Sequence, residues 1–218
     1  MNNIEKVNQF RDARNWRQFH NEKDLALSIT LESSELLEIF QWKEAEEGVS
    51  EIDAIKDELA DVLIYGHMLA ANLDLAIDYL VDRKLRRNTE KYPAKPNASE
   101  VSADLPLEDK IVAYRAARNW ALWDNAKDVA IAIAVEAAEL LEVFQWREAE
   151  EVLADEEAMD ELQDELADVI IYGYVLAQSL NLEVDDLITA KLEKNEYKYP
   201  VNKSHNSKAK YDELLSDD

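Results

Sequence analysis

The chain has 218 residues, 47% of them apolar, which is enough for one or two domains with a hydrophobic core. Lys and Arg number 24 against 48 Asp and Glu, and the net charge of -24 argues against an open groove for DNA or RNA, though not against a free nucleotide shielded by metal ions. The absence of cysteine excludes disulfides, thiolate metal sites and thiol nucleophiles, and the three glycines Gly48, Gly66 and Gly173 leave no room for a phosphate-cradling P-loop or a dinucleotide fingerprint.

Apolar residues recur at helical rather than alternating spacing. The predicted elements are helices over about 3–19, 24–43, 51–72 and 75–91, then about 107–123, 128–149, 155–179 and 184–198. Asn21 with Asp24, and Asn125 with Asp128, read as capping pairs that open the second helix of each set. No segment reads as a strand, so the fold class is all-α. No apolar run reaches membrane-spanning length, and the opening MNNIEKVNQF lacks the basic-then-apolar pattern of a signal peptide. The expectation is a soluble cytoplasmic protein without membrane or nucleic-acid partners.

The two sets of helices are copies of each other. Arg14-Asn15-Trp16 recurs as Arg118-Asn119-Trp120 and Phe40-Gln41-Trp42 as Phe144-Gln145-Trp146, both at an offset of 104. Glu58 pairs with Glu165 and Tyr92-Pro93 with Tyr199-Pro200 at an offset of 107, which predicts a three-residue insertion in the loop between second and third helices. The stretch from Pro93 to Pro106 has linker composition. The expected organisation is repeat one over 1–97, a linker over 98–106, repeat two over 107–204 and a tail over 205–218.

Three constellations carry chemistry, each with a plainer reading. Glu32 and Glu35 share one helix face, as do Glu58 and Asp61, and Glu136, Glu139, Glu165 and Asp168 repeat them. Like charges one turn apart repel by roughly 0.2 to 0.5 kcal/mol per pair. A single such pair in so acidic a chain is normally a solvated face. Here the glutamates are the only charges in an apolar stripe that occurs twice, and a hard divalent ion holding a phosphorylated substrate explains both copies. Glu38 and Glu142, at the edge of the stripe, read as extra ligands, as bases for water, or as exposed groups.

Lys84, Asn88 and Lys91 fall at i, i+4 and i+7, and Lys191, Asn195 and Lys198 repeat them, so one stripe can face the metal and its phosphates. Cations near a helix C-terminus also complement the helix dipole, which accounts for the lysines but not the asparagines. The aromatics Trp16, Trp42 and Tyr65, with Trp120, Trp146 and Tyr172, can stack on a base, although large aromatics at this spacing are more often core. His20 aligns with Asp124 and His67 with Tyr174, so no histidine serves as a base in both copies, and serine-nucleophile chemistry lacks a shared partner.

The order R-x-W, E-x-x-E-L-x-E-x-F-Q-W, E-L-x-D-V-x-I-Y and K-x-x-x-N-x-x-K-Y-P resembles the MazG-like all-α nucleoside triphosphate pyrophosphohydrolases, nearest to their dCTP pyrophosphatase branch. It spans 14–93 and 118–200, and the closing KYDEL (Lys210 to Leu214) is similar as well. The resemblance implies two tandem four-helix repeats forming an intrachain pseudo-dimer. It implies hydrolysis of a nucleoside triphosphate, such as the deoxynucleotide dCTP, to monophosphate and pyrophosphate, in a nucleotide house-cleaning role.

By motif, Mg²⁺ (or Mn²⁺) ligation carries over to Glu32, Glu35, Glu58, Asp61, Glu136, Glu139, Glu165 and Asp168. Phosphate contacts carry over to Lys84 and Asn88 with Lys191 and Asn195, and the nucleotide pocket to Trp16, Trp42 and Tyr65 with Trp120, Trp146 and Tyr172. Glu35 with Glu139, or Glu38 with Glu142, would take the proton of the attacking water. Two tandem chains would pair into a homodimer equivalent to a tetramer. Where some dCTP-specific members place a base-reading histidine, this chain has Val7 and Ile111, which leaves the base open. Two rival readings belong to other classes. A carboxylate-bridged di-iron bundle expects Glu-x-x-His, which does not occur, and a non-catalytic nucleotide-binding module would lose the acids in one half, which neither has.

Overall fold

The computed structural model describes residues 1–95, 102, 104–120, 125–209 and 211–215. Linker positions 98–101 and 103, positions 121–123 of a predicted helix, Asp124, and Lys210 of the KYDEL motif lie outside the described residues. The described residues form helices joined by turns and loops, with no strand among them.

Repeat one contains α1 (Asn3–Ala13), a 3₁₀ turn (Trp16–Phe19), α2 (Glu22–Glu38), α3 (Ala45–Val49), α4 (Ile52–Asn72) and α5 (Ile77–Lys91). Repeat two answers with α6 (Leu107–Ala116), α7 (Ala126–Glu142), α8 (Ala149–Leu153), α9 (Glu156–Ser179) and α10 (Val184–Lys198). The short α11 (Val201–Ser204) and α12 (Tyr211–Leu215) follow. The chain is thus a tandem pair of helical repeats.

The predicted caps form. Asn21 and Asn125 accept hydrogen bonds from the backbone N–H of Asp24 and Asp128 at 2.8 and 2.9 Å, which satisfies an N–H that the first turn leaves unpaired. Three expectations are corrected. The first helix of repeat one stops at Ala13, because Asn15 is left-handed with φ 55°, and Asn119 repeats the break with φ 59°. The second helices end at Glu38 and Glu142 rather than beyond the Phe-Gln-Trp motif, whose Trp42 and Trp146 both have φ 61°. The three-residue insertion is not in a loop. The N-caps Glu51 and Asp155 keep the offset of 104, and α9 has 24 residues against 21 in α4, so the insertion adds nearly one turn to the start of that helix.

The centre is a four-helix arrangement in which α2 packs on α4, α7 on α9, and the two pairs pack through α2 against α7 and α4 against α9. α2 and α7 run antiparallel: Thr30 Oγ1 donates to Ala137 O at 2.8 Å, Lys23 Nζ to Arg147 O at 2.8 Å and Lys127 Nζ to Lys43 O at 2.7 Å. Leu59, Leu63 and Ile55 of α4, with Leu162, Leu166 and Ile170 of α9, have no exposed surface. Each fully buried side chain of this kind contributes about 1.5–3 kcal/mol. The two halves therefore share a core. The outer helices then cross over, α5 lying on α9 and α10 lying on α4, so each repeat's last helix covers the other repeat.

Candidate active site

Glu32 on α2 and Glu58 and Asp61 on α4 bring carboxylate oxygens within 4.8 Å of one another, and Glu136 on α7 does the same with Glu165 and Asp168 on α9. All six are partly buried. In both E-L-A-D segments the two acids sit one turn apart, while Leu59 and Leu166 between them point into the core. Burial pushes Glu32 up to about 8, with Asp61, Glu35 and Glu58 adding repulsion and Lys191 opposing it. Glu136 rises to about 8 for the same reasons, burial first and then Asp168, Glu139 and Glu165, against Lys84. Glu58, Asp61, Glu165 and Asp168 are also raised by burial, with the nearby lysine pulling them back.

The counter-charge comes from the opposite repeat. Lys191 Nζ on α10 lies 2.6 Å from Asp61 Oδ2, and Lys84 Nζ on α5 lies 2.5 Å from Asp168 Oδ2. Burial alone would lower both ammonium groups, yet the facing carboxylates hold each above its ordinary value. Asn195 lines a cavity with Asp61, and Asn88 and Lys91 line a cleft with Glu136, Glu165 and Asp168. Lys198 is exposed, carries its Nζ 5.7 Å from the Tyr211 ring, and its charge still acts on Asp61. Each acidic cluster thus faces the lysine–asparagine stripe of the other half.

Aromatic walls adjoin the acids. Beside the first cluster is a cavity of about 200 Å³ lined by Trp16, Tyr65, Phe10, Phe19, His20 and Tyr199. Glu32 and Asp61 lie close enough to Tyr65 to raise its phenol further, after burial, and Trp16 meets Tyr199 edge-on at 5.3 Å. The second cleft, about 590 Å³, takes in its acids together with Trp120, Tyr172 and Tyr92. Trp42 and Trp146 are not part of either. They are 94% and 93% exposed, because the left-handed turn after α2 and α7 directs them outward, and Trp146 instead edges a surface groove with Glu142 and Lys23.

The remaining glutamates separate into two kinds. Glu35 and Glu139 are exposed at the rim, near enough to repel Glu32 and Glu136, and Glu139 lines the second cleft. Glu38 and Glu142 are exposed and belong to neither cluster. Neither Glu35 nor Glu139 belongs to the tight three-carboxylate groups.

Several residues here escaped the sequence reading. Arg14, buried, donates from Nε to Tyr199 O at 2.8 Å and stacks its guanidinium 3.8 Å from the Phe10 ring, and Arg118 repeats this with Tyr92 O at 2.7 Å and the Tyr114 ring at 3.5 Å. These arginines fasten the end of the other repeat's last helix. The signal was present, since Arg-Asn-Trp and Tyr-Pro both recur. Over the first site the segment after α10 is pinned by Trp16 Nε1 to Ser204 O at 3.0 Å, and Ser207 to Ala209 line the cavity.

A hard divalent cation fits this donor set. The ligand atoms are all carboxylate oxygens, and Glu165 Oε2 is buried with no hydrogen-bond partner among the described residues. Such an atom costs about 1–3 kcal/mol unless something meets it.

Comparison with known proteins gives the family. A family model, that of the MazG-like family, matches residues 27–105 and 131–214. The rat dCTP pyrophosphatase 1 is 40% identical over 91 residues and the human one 39% over 92, each match covering 39% of this chain and 54% of the relative. The chain spans about half the length of the curated relatives it matches. No solved structure matches it. With both repeats matched and most of the chain covered, the protein belongs to the MazG-like family.

Proposed function

We propose that the chain is a nucleoside triphosphate pyrophosphohydrolase that converts a deoxynucleotide such as dCTP to its monophosphate and pyrophosphate. The observation that carries this reading is the composite site: three convergent carboxylates, a lysine and an asparagine from the other half, and an aromatic cavity alongside. The names of the relatives supply the substrate.

Glu32, Glu58 and Asp61, with Glu136, Glu165 and Asp168, would hold Mg²⁺ or Mn²⁺. When bound, such an ion neutralises triphosphate charge and lowers the pKa of water. Lys191 and Asn195, with Lys84 and Asn88, hold the phosphates, so each lysine moves from an aspartate to the substrate. Trp16 and Tyr65, with Trp120 and Tyr172, wall the base. Glu35 and Glu139 take the proton of the water whose oxygen attacks the α-phosphorus, the α–β bridging P–O bond breaks, and pyrophosphate leaves. Their place beside Glu32 and Glu136 supports them over Glu38 and Glu142 in this role.

A homodimer of tandem chains accompanies this reading. Leu27 and Leu31 on α2, Ile131 and Val135 on α7, and both outward tryptophans expose apolar surface, which suits a second copy. We place the protein in the cytoplasm with its nucleotide substrates; no single helix among the described residues is long and apolar enough to cross a membrane.

The test is incubation with a panel of NTPs and dNTPs plus Mg²⁺, with products identified by phosphorus NMR. Monophosphate with pyrophosphate is expected. Diphosphate with orthophosphate, or tight binding without turnover, overturns the reading.

A further inference from the structure

A further cavity, of about 290 Å³, lies among α6, the end of α9 and the start of α10, and shares no lining residue with the cavity or the cleft of the acidic sites. Ile111, Ala177 and Val184 give it a buried apolar wall, and Glu108, Asp109 and Glu183 stand exposed at its rim. Tyr174 lines it as well. That residue is only 7% exposed, and its hydroxyl makes no hydrogen bond among the described residues. The two copies have parted here: His67 aligns with Tyr174, Ile4 with Glu108 and Ala76 with Glu183. His67 is buried and bonds through Nδ1 to Leu63 O at 2.7 Å, so a polar group that is met in the first copy is replaced by an unmet one in the second.

The surroundings are negative. Burial raises the Tyr174 phenol, and Glu108, Asp78 and Asp185 push it further up. These acids stand at helix starts, where they complement the helix dipole, and Glu183 precedes α10 without making a cap hydrogen bond. A half-charge of roughly +0.5 at each start, with Lys6 at 2.7 Å from Asp185, meets only part of that charge, and it leaves the phenol hydroxyl unexplained. An anion would be repelled. A bare metal ion is poorly served, because among the described residues the groups of three carboxylates within 4.8 Å are those of the two acidic sites. A cation with a hydrocarbon body meets every feature: its N–H groups reach the carboxylates and the phenol oxygen, and its methylenes cover the apolar wall. The volume, just under the roughly 300 Å³ at which drug-sized pockets begin, calls for a small one.

We propose that the cavity beside Tyr174 binds a small organic cation, an alkylammonium or diamine with a short hydrocarbon body, at a place separate from the acidic sites and present in the second copy alone. Glu108 and Glu183 supply the charge that draws the ammonium group, the Tyr174 hydroxyl accepts one of its hydrogens, and Ile111 and Val184 select against ammonium without a carbon chain. The proposal does not depend on the reaction assigned to the acidic sites.

The experiment is calorimetric titration of the full chain with 1,4-diaminobutane, in excess Mg²⁺ to compete for the acidic clusters and at about 0.15 M salt to screen distant charges. One saturable equivalent per chain is expected. Glu108→Gln with Glu183→Gln, both exposed and so compatible with folding, should weaken it about fivefold, as expected for two partly screened charge contacts. Glu156→Gln with Glu161→Gln removes the same charge from the other end of α9 and should leave the affinity unchanged. Tyr174→Phe keeps the ring and removes the hydroxyl, and should weaken binding about fivefold for one lost hydrogen bond. Ammonium chloride at the same concentration should not compete. Absence of saturable binding, equal weakening by the two glutamate pairs, an unchanged affinity in Tyr174→Phe, or displacement by ammonium alone each overturns the proposal.

Discussion

Lys191 and Asp61 form a 2.6 Å ion pair although they belong to different copies of the repeat, and Lys84 and Asp168 mirror them at 2.5 Å. Neither of these aspartates takes its lysine from its own copy. This crossing predicts which pairs of substitutions act together. Glu58→Gln with Lys191→Ala damages only the first site and should leave roughly half of the activity, because residues of one unit are non-additive. Glu58→Gln with Lys84→Ala damages one component of each site and should remove nearly all of it. Steady-state kinetics on the two double variants decide the matter, and the opposite ranking would mean that each copy uses its own lysine.

The rim glutamates give a second contrast. Glu35→Gln with Glu139→Gln should lower kcat by about 10²–10⁴ if these residues take the proton from water. Glu38→Gln with Glu142→Gln should change it little, since neither side chain belongs to a carboxylate cluster. A large loss from the second pair alone would move the base to the outer glutamates.

Much of this was legible because charge and apolarity conflict. Glutamates within an apolar stripe, repeated at a fixed offset, pointed to the acids before any fold was known, and the Asn–Asp caps marked helix starts. The crossing of α5 and α10 was not legible. Both copies carry the same Lys-x-x-x-Asn pattern, so the pattern is satisfied equally by a partner in the same or the other half. Spacing alone does not show where Trp42 and Trp146 point: it counts residues along a helix, and each tryptophan sits beyond the helix end in a left-handed turn that directs it to solvent. A change of offset between two motifs brackets the insertion without saying whether loop or helix takes it up, and α9 takes it up as extra helix.

Metal-free protein should lose stability as pH rises. Glu32 and Glu136 have an ordinary value of 4.5 and stand near 8 in the fold, so between these values the folded chain binds protons that the unfolded chain has released. Stability from these groups is complete below about 4.5 and is lost on the way to about 8. Buried His20 and His67, lowered from 6.5 to about 4, act in the opposite direction, adding stability as pH rises through 4 to 6.5. The clear window is therefore about pH 6.5–8, where only the carboxyl effect remains. Calorimetry in EDTA should show Tm falling across it, and saturating Mg²⁺ should raise Tm most at pH 8, with protons released on binding. A flat metal-free profile would contradict the buried, mutually repelling cluster.

Trp42→Ala and Trp146→Ala should each change monomer stability by no more than about 0.5 kcal/mol, as exposed side chains do. If these surfaces meet a second copy, the double variant shifts sedimentation toward the single chain at equal concentration. An unchanged sedimentation coefficient would remove the tryptophans from the assembly.

The repeated Ile-Tyr-Gly motif predicts opposite responses from identical local sequences. A Cβ at Gly66 would meet Ile170 Cγ1 at 3.6 Å, an ordinary contact, so Gly66→Ala should gain up to about 1 kcal/mol from helix propensity. At Gly173 the same atom would lie 2.8 Å from Leu63 Cδ2, and Leu63 is fully buried at the crossing of α4 and α9. Displacing it costs about 1–3 kcal/mol, more than the propensity gain. Gly66→Ala should therefore raise Tm and Gly173→Ala lower it, at about 2–4 °C per kcal/mol for a chain of this size. Equal shifts of the same sign would show that α4 and α9 do not meet at the asymmetric register described here, and with it would go the shared core that lets each repeat complete the other's site.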